Sequence, residues 1–590
     1  MTLPEFGGVW PTDHVDESTT RAAAWWDEAR LALAGLPGGG TNIAYEAVDR
    51  HVDDGLGTTV AIRWIPTTGP PIEVNYRDLA HRSNRFARVI RELGYEDGHS
   101  VATLCGRVLP LYVAALGTLK SGGIYAPLFS AFGPDPVILR LQLGSIDVLV
   151  TTETLYRRKV MRRRSEVPSL QHVLLIDGDA ASFDDPSVLD LRALLAASAD
   201  SFTPHPTDPE HPALLHFTSG TTGQPKGALH VHDAVVAHGS TGRTVLGLRP
   251  GVVYWCTADP GWVTGTSYGL IAPLVNGATS VIDEAEFDAE RWYRILQDEH
   301  VQIFYTAPTA LRLLQRIGSE AREPYDLSHL ELVASVGEPL DPEAVIWARE
   351  TFGVPVLDTW WQTETGSMMI ANRPGDEVRP GSMGHPLPGI EASILATDDD
   401  GDLVLDGKGR PVHLTEPDAV GEIGLRAGWP SMFRSYLNDD ARYADCFVDG
   451  WYHSGDLARC DEDGFFWFVG RNNDVIKSAG HLIGPFEVES ALTEHPAVVE
   501  AGVIGKPDET MGAVVKAFVV LKDGETASEE LVRDIRAHAR RSLGPVVAPR
   551  EIDVVHELPH TRSGKIMRRL LKARELGLAE GDTSTLETST

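Results

Sequence analysis

The chain has 590 residues, too many for a single hydrophobic core, so at least two domains are expected. Hydrophobic residues make up 42% and charged residues 23%, the balance of a globular enzyme. Acidic residues outnumber basic ones by 84 to 52, and a net charge of −32 argues against non-specific binding to nucleic acid or to an anionic membrane.

The N-terminus carries no Lys or Arg before Arg21 and no apolar stretch of signal-peptide length. No uninterrupted apolar run approaches the roughly 18–20 residues that span a bilayer. Cys105, Cys256, Cys446 and Cys460 form neither a CxxC pair nor a Cys/His metal spacing. Reduced thiols in a cytoplasmic protein are expected.

In chain order, Pro37-Gly38-Gly39-Gly40 reads as a loop. Residues 148–152 and 173–176 read as buried strands, as do 213–217 and 278–282, and residues 289–299 and 341–352 read as amphipathic helices. Strands alternating with helices predict an α/β architecture. An aromatic strand at 465–469 precedes a change of composition at Gly470-Arg471-Asn472-Asn473-Asp474. Beyond it come a helix at 485–494, strands at 498–504 and 514–521, a helix at 528–543 and a strand at 551–555. These suffice for a small α+β domain. The division is therefore 1–470, a junction at 471–473, and 474–590, with a polar tail from 581.

The strongest local signal is the ten-residue run Thr218-Ser219-Gly220-Thr221-Thr222-Gly223-Gln224-Pro225-Lys226-Gly227. Gly220 and Gly223 let backbone N–H groups come close to phosphate oxygens and form an anion nest. Hydroxyls of Thr218, Ser219, Thr221 and Thr222 add donors, and Lys226 adds charge. Pro225 and Gly227 flank the lysine, so the GxxxxGK[ST] pattern fails, and this is a different phosphate loop.

That run resembles the phosphate-loop signature of the adenylate-forming superfamily. So do Asp358-Thr359-Trp360-Trp361-Gln362-Thr363-Glu364-Thr365-Gly366, Tyr452-His453-Ser454-Gly455-Asp456, Gly470-Arg471 with residues 484–489, and Pro559-His560-Thr561-Arg562-Ser563-Gly564-Lys565, in the family's order. The paired tryptophans, Trp262-Val263-Thr264-Gly265 and Ser335-Val336-Gly337-Glu338-Pro339 are similar to the acetyl-CoA synthetase branch.

The resemblance implies an N-terminal AMP-binding domain, a hinge at Asn473 and a smaller mobile C-terminal domain carrying a catalytic lysine, Lys565. It implies that Asp456 and Arg471 meet the ribose. Gly337, Glu338 and Pro339, with Asp358, Thr359, Trp360, Gln362 and Thr363, would surround the nucleotide. Glu364 would hold Mg²⁺, a hard cation suited to carboxylate oxygen. Val263, Thr264, Val336 and Trp361 would line the acyl pocket, the indole leaving room only for a short acid. Arg157, Ser478, Gly480 and Arg540 would contact CoA. The implied substrates are acetate, ATP and CoA, joined through acetyl-adenylate, with a propionyl- or other short-acyl-CoA synthetase as the near alternative. From another class, the alternative is a non-catalytic nucleotide sensor on the same fold. A lysine acetyltransferase and deacetylase acting on Lys565 are implied partners. Leu482 departs from the pattern, since the family usually carries a phosphate-binding arginine there.

Overall fold

The computed structural model describes residues 17–219, 225–398, 401–472, 474–478, 481–508, 512–522, 524–561, 565–580, 583 and 586. For residues 17–21, 219, 477, 481, 482, 512, 545 and 546 it describes the backbone alone.

Local chemistry sets the element ends. Helix Ala289–Asp298 starts where the Asp288 side chain accepts from Arg291 N, and it buries Trp292, Tyr293, Ile295 and Leu296 on one face. Helix Pro342–Phe352 starts with Asp341 accepting from Ala344 N and Pro342 in the first turn, and it stops at Gly353 with φ +74°. Both follow from a capping aspartate ahead of an apolar stripe.

Four sheets are built from the described strands. In a nine-stranded sheet the central strands run parallel in the order Val356–Trp360, Leu332–Val336, Ile303–Thr306, Val253–Cys256, Thr279–Asp283 and Val60–Ile65. The eight-stranded sheet is parallel from Pro212–Ser219 through Val188–Asp190, and Pro225–Val231 and Ser435–Tyr436 extend it antiparallel. A six-stranded antiparallel sheet spans residues 392–471. The fourth sheet begins at Ile476 and takes no strand from the other three. It packs on helices Pro485–Thr493 and Glu529–Val547 around a core of its own. A large N-terminal α/β part and a smaller C-terminal part are thus present; Arg471 ends the last strand of the third sheet and Ile476 begins the first of the fourth.

The expected elements appear with ends shifted by a few residues; Val498–Asp508 runs four residues beyond its predicted end. Many further elements were not named from the sequence, among them helices Tyr76–Glu92 and Ala234–Leu246, and two in the C-terminal part bear on the site. Strands Ile476–Ser478 and His481–Ile483 form a hairpin of three residues a side, too short to show alternation. Helix Arg568–Leu576 is mostly charged, with only Leu570, Leu571 and Ala573 buried. Most of the polar tail lies outside the described residues. Among the described residues, no helix is long and apolar enough to cross a membrane.

Candidate active site

The two ends of the glycine-rich run lie in antiparallel strands, with Thr218 paired to Lys226 and Ser219 to Pro225. Gly220, Thr221, Thr222 and Gly223 lie outside the described residues. The run thus joins strand to strand, where a P-loop joins strand to helix. Strand Pro225–Val231 also pairs with Ser435–Tyr436, and the Lys226 ammonium stands 4.9 Å from the Tyr436 ring centroid. The Tyr436 hydroxyl donates to Glu364 Oε1 at 2.7 Å. Burial lowers the Lys226 pKa, helped by the Arg442 cation and opposed by Glu364.

The parallel strands Leu332–Val336 and Val356–Trp360 place two motifs side by side, with Val336 opposite Thr359. Gly337 leaves its strand at φ +96°, a conformation glycine adopts without penalty. A cavity of about 90 Å³ opens at these carboxyl ends, where open α/β sheets bind ligands. Gly337, Glu338 and Pro339 form one wall, residues 358–361 another, and Asp456, Arg471 and Lys565 a third. Burial raises the Asp358 carboxyl to a pKa of about 8, although it accepts from Thr359 N at 2.8 Å.

Asp456 and Arg471 are cross-strand partners. Asp456 Oδ2 accepts from Trp360 Nε1 at 3.0 Å and from Gln362 Nε2 at 2.8 Å. Its Oδ1 faces Arg471 Nε at 2.8 Å without an aligned hydrogen bond, which leaves an acceptor open. Gln362 is itself fixed by the Tyr452 hydroxyl at 2.7 Å. Thr363 does not line the cavity; its carbonyl accepts from Gly366 N in the turn that follows.

Lys565 reaches this cavity from the small domain, its loop closed by Thr561 N donating to Lys565 O at 2.7 Å. The Arg471 cation, and then burial, lower its pKa to about 8. Arg568, absent from the predicted site, lines the same cavity and is held by Glu489.

A larger cavity of about 800 Å³ is lined by Val263, Thr264 and Val336, and it shares Gly337 and Glu338 with the first. Thr309 Oγ1 donates to Glu338 Oε1 at 2.7 Å, and Arg312 pairs with the same carboxylate. Trp361 packs in one apolar cluster with Val336 and Tyr305, against which Val263 also rests.

Two family models match the chain: the AMP-binding enzyme over residues 50–437 and the AMP-binding enzyme C-terminal domain over residues 487–565. The chain belongs to the AMP-binding enzyme family. Within it, the acetyl-coenzyme A synthetase of Bacillus subtilis (strain 168) is 43% identical over 564 residues, 95% of each chain. That of Streptomyces coelicolor is 39% identical, covering 98% of this chain and 89% of its own length. Among solved structures, a Brucella canis acyl-CoA synthetase superposes with a TM-score of 0.71 at 34% identity, over 95% of this chain and 99% of that one. The anthranilate CoA ligase AuaEII in complex with anthranoyl-AMP superposes with a TM-score of 0.79 at 28% identity, over 91% and 97%.

Some predicted site residues stand apart from both cavities. Arg157 binds Glu153 at 2.7 Å and Ser182 at 2.6 Å and lies over the Phe183 ring. Arg540 is exposed on helix Glu529–Val547, and Ser478 is buried in its strand. Asn473 and Gly480 lie outside the described residues. Sequence reading missed Arg568, Asp474, Phe468 and Phe486 at the nucleotide cavity and Tyr305 at the larger one. A cation three residues beyond Lys565 was the available signal for Arg568.

Proposed function

We propose that the chain is an AMP-forming acetyl-CoA synthetase. Acetate and ATP give acetyl-adenylate and pyrophosphate, and the acetyl group then passes to the CoA thiol with release of AMP. The observation that carries this reading is the meeting, at Gly337 and Glu338, of a cavity that holds Asp456, Arg471 and Lys565 with a larger cavity walled in part by Val263, Thr264 and Val336.

Asp456 Oδ1 accepts a ribose hydroxyl beside Arg471. Residues 337–339 and 358–360 flank the adenine. Lys226 and the hydroxyls of its loop hold the outer phosphates. Lys565 lies between the acid and the α-phosphate, where its charge stabilises the transition state as pyrophosphate leaves. Glu364 would hold a Mg²⁺ bound to ATP, a hard cation that prefers carboxylate oxygen. The ion keeps waters and phosphate oxygens and needs only one or two carboxylates. Among the described residues no cluster of three His, Cys, Asp or Glu side chains is found, so Glu364 would be the carboxylate that meets the ion here.

The small domain then turns about Asn473, and Arg157, Ser478, Gly480 and Arg540 contact CoA. Such a turn lets one site serve two reactions by exchanging the groups that cover it. Trp361 closes the acyl pocket and sets acetate as the preferred acid. A methylene discriminates by only about 1–3 kcal/mol, so propionate is used as well. Acetylation of Lys565 removes its charge and stops the first step, which makes it a control point for an acetyltransferase and deacetylase in the cytoplasm.

The test is pyrophosphate release from Mg-ATP on adding acetate without CoA, followed by acetyl-CoA formation when CoA is supplied. Pyrophosphate release that ignores acetate would refute the reading.

A further inference from the structure

Tyr305 belongs to strand Ile303–Thr306 and is fully buried, yet its ring forms part of the larger cavity wall. Its hydroxyl lies 2.9 Å from Thr359 Oγ1. Thr359 Oγ1 donates to Ser335 O at 2.8 Å, and Trp361 Nε1 donates to the Tyr305 hydroxyl at 3.4 Å. The direction of this chain is fixed at both ends, because a carbonyl only accepts and an indole N–H only donates. Thr359 therefore gives its proton to Ser335, and Tyr305 gives its proton to Thr359. A lone pair of Tyr305 takes the indole N–H. A phenol placed here has one way to be satisfied, and that way points its acceptor at Trp361.

Packing supplies the other restraint. Tyr268 stands edge-on to Trp361 at 5.1 Å and to Tyr305 at 5.9 Å. Tyr268 is itself fixed by Thr241 Oγ1 at 2.8 Å and by Met368 N at 2.8 Å. The indole is thus packed against Tyr268 and tethered at its nitrogen. The chain also crosses beneath the site, since Thr359 lines the nucleotide cavity and Tyr305 the larger one.

We propose that Tyr305 is the positioning residue for acid size: by accepting the Trp361 N–H it holds the indole across the end of the acyl pocket and excludes straight-chain acids of four carbons or more. This rests on Trp361 being the end wall, as set out above. Without the tether, the indole can swing on its χ angles and admit further methylenes.

The test measures kcat/KM for acetate and butyrate by pyrophosphate release at saturating Mg-ATP. It uses the wild type, Tyr305→Phe, Trp361→Gly and the double variant, with thermal unfolding of each. Tyr305→Phe is expected to raise the butyrate-to-acetate ratio roughly three- to tenfold, the size of one hydrogen bond's net contribution. Trp361→Gly raises it further, and adding Tyr305→Phe to Trp361→Gly changes nothing more, because the partner is gone. An unchanged ratio in Tyr305→Phe beside a raised ratio in Trp361→Gly overturns the proposal and leaves the end-wall reading standing. An unchanged ratio in Trp361→Gly overturns the end-wall reading, and the proposal with it. Equal shifts from Tyr305→Phe in both backgrounds also overturn it, since the phenol would then act without the indole. Thr359→Val breaks the next link and is read in the same ratio if Tyr305→Phe does not fold.

Discussion

Lys565 shares its cavity with two other cations, Arg471 and Arg568, which together with burial favour its neutral form. In the ligand-free protein a pKa of about 8 means that the charge is largely present at neutral pH and lost as pH rises through 8. The kcat/KM for adenylation, which reports the free enzyme, is therefore expected to fall on the alkaline side with an apparent pKa near 8. Lys565→Ala should nearly abolish adenylation while sparing thioester formation from supplied acetyl-adenylate. An equal loss in both half-reactions would remove its assigned role. At Trp361 the expected change is in preference rather than in rate. Trp361→Gly should favour butyrate to hexanoate, each newly buried methylene contributing about 0.8 kcal/mol. Acetate activity lost with no gain on longer acids would mark the indole as packing alone. The places of Lys565 and Asp456 at the nucleotide cavity were legible in the sequence because each sits inside a compact motif; Trp361, read as a wall of the acyl pocket, lines that same cavity and not the larger one. Tyr305 and Arg568 were not. Tyr305 looks like one more apolar residue of a buried strand, and its contact with Thr359 spans 54 positions in the chain. Arg568 owes its place to Glu489, 79 positions away.

At the scale of elements, strand and helix periodicity foretold the α/β class and the elements named from it, because those strands are largely apolar and those helices carry a clear apolar stripe. The hairpin of Ile476–Ser478 and His481–Ile483 escaped notice, yet it bears on the missing arginine. Lys477 and Leu482 are directly opposed in its register, although their side chains lie outside the described residues. A lysine paired to the position where the resembled family pattern has a phosphate-binding arginine is a natural substitute for that contact. Such a charge-assisted bond contributes about 1.5–3 kcal/mol. Lys477→Ala is expected to raise the KM for ATP roughly tenfold or more, and Leu482→Arg to restore part of it. Measuring both single variants and the double variant decides the matter. No change in Lys477→Ala would end the compensation idea. The turn of the phosphate hairpin was recognisable by composition, but its strand-to-strand setting was not, because glycine and threonine suit either kind of turn.

Across the whole molecule, a net charge of −32 surrounds a site whose walls carry Arg471, Lys565 and Arg568 beside the acidic side chains of Glu338, Asp358, Asp456 and Asp474. An approaching polyphosphate therefore meets a repulsive exterior at long range and these cations only at contact, and ionic strength separates the two. At about 0.01 M salt the screening length of roughly 30 Å lets the acidic exterior repel ATP, whereas near 0.1 M only charges within about 10 Å are felt. The kcat/KM for ATP is expected to rise with salt over that interval and to fall again toward 1 M. A steady fall throughout would show that the local cations dominate at every range. The common wall of Gly337 and Glu338 has a consequence of another kind. The mixed anhydride formed across it is a strong acylating agent, and lysines of this protein are amines it can meet on leaving. The fit of that wall then governs self-acylation: in acetate and ATP without thiol, the enzyme's working life is set by how seldom the intermediate escapes.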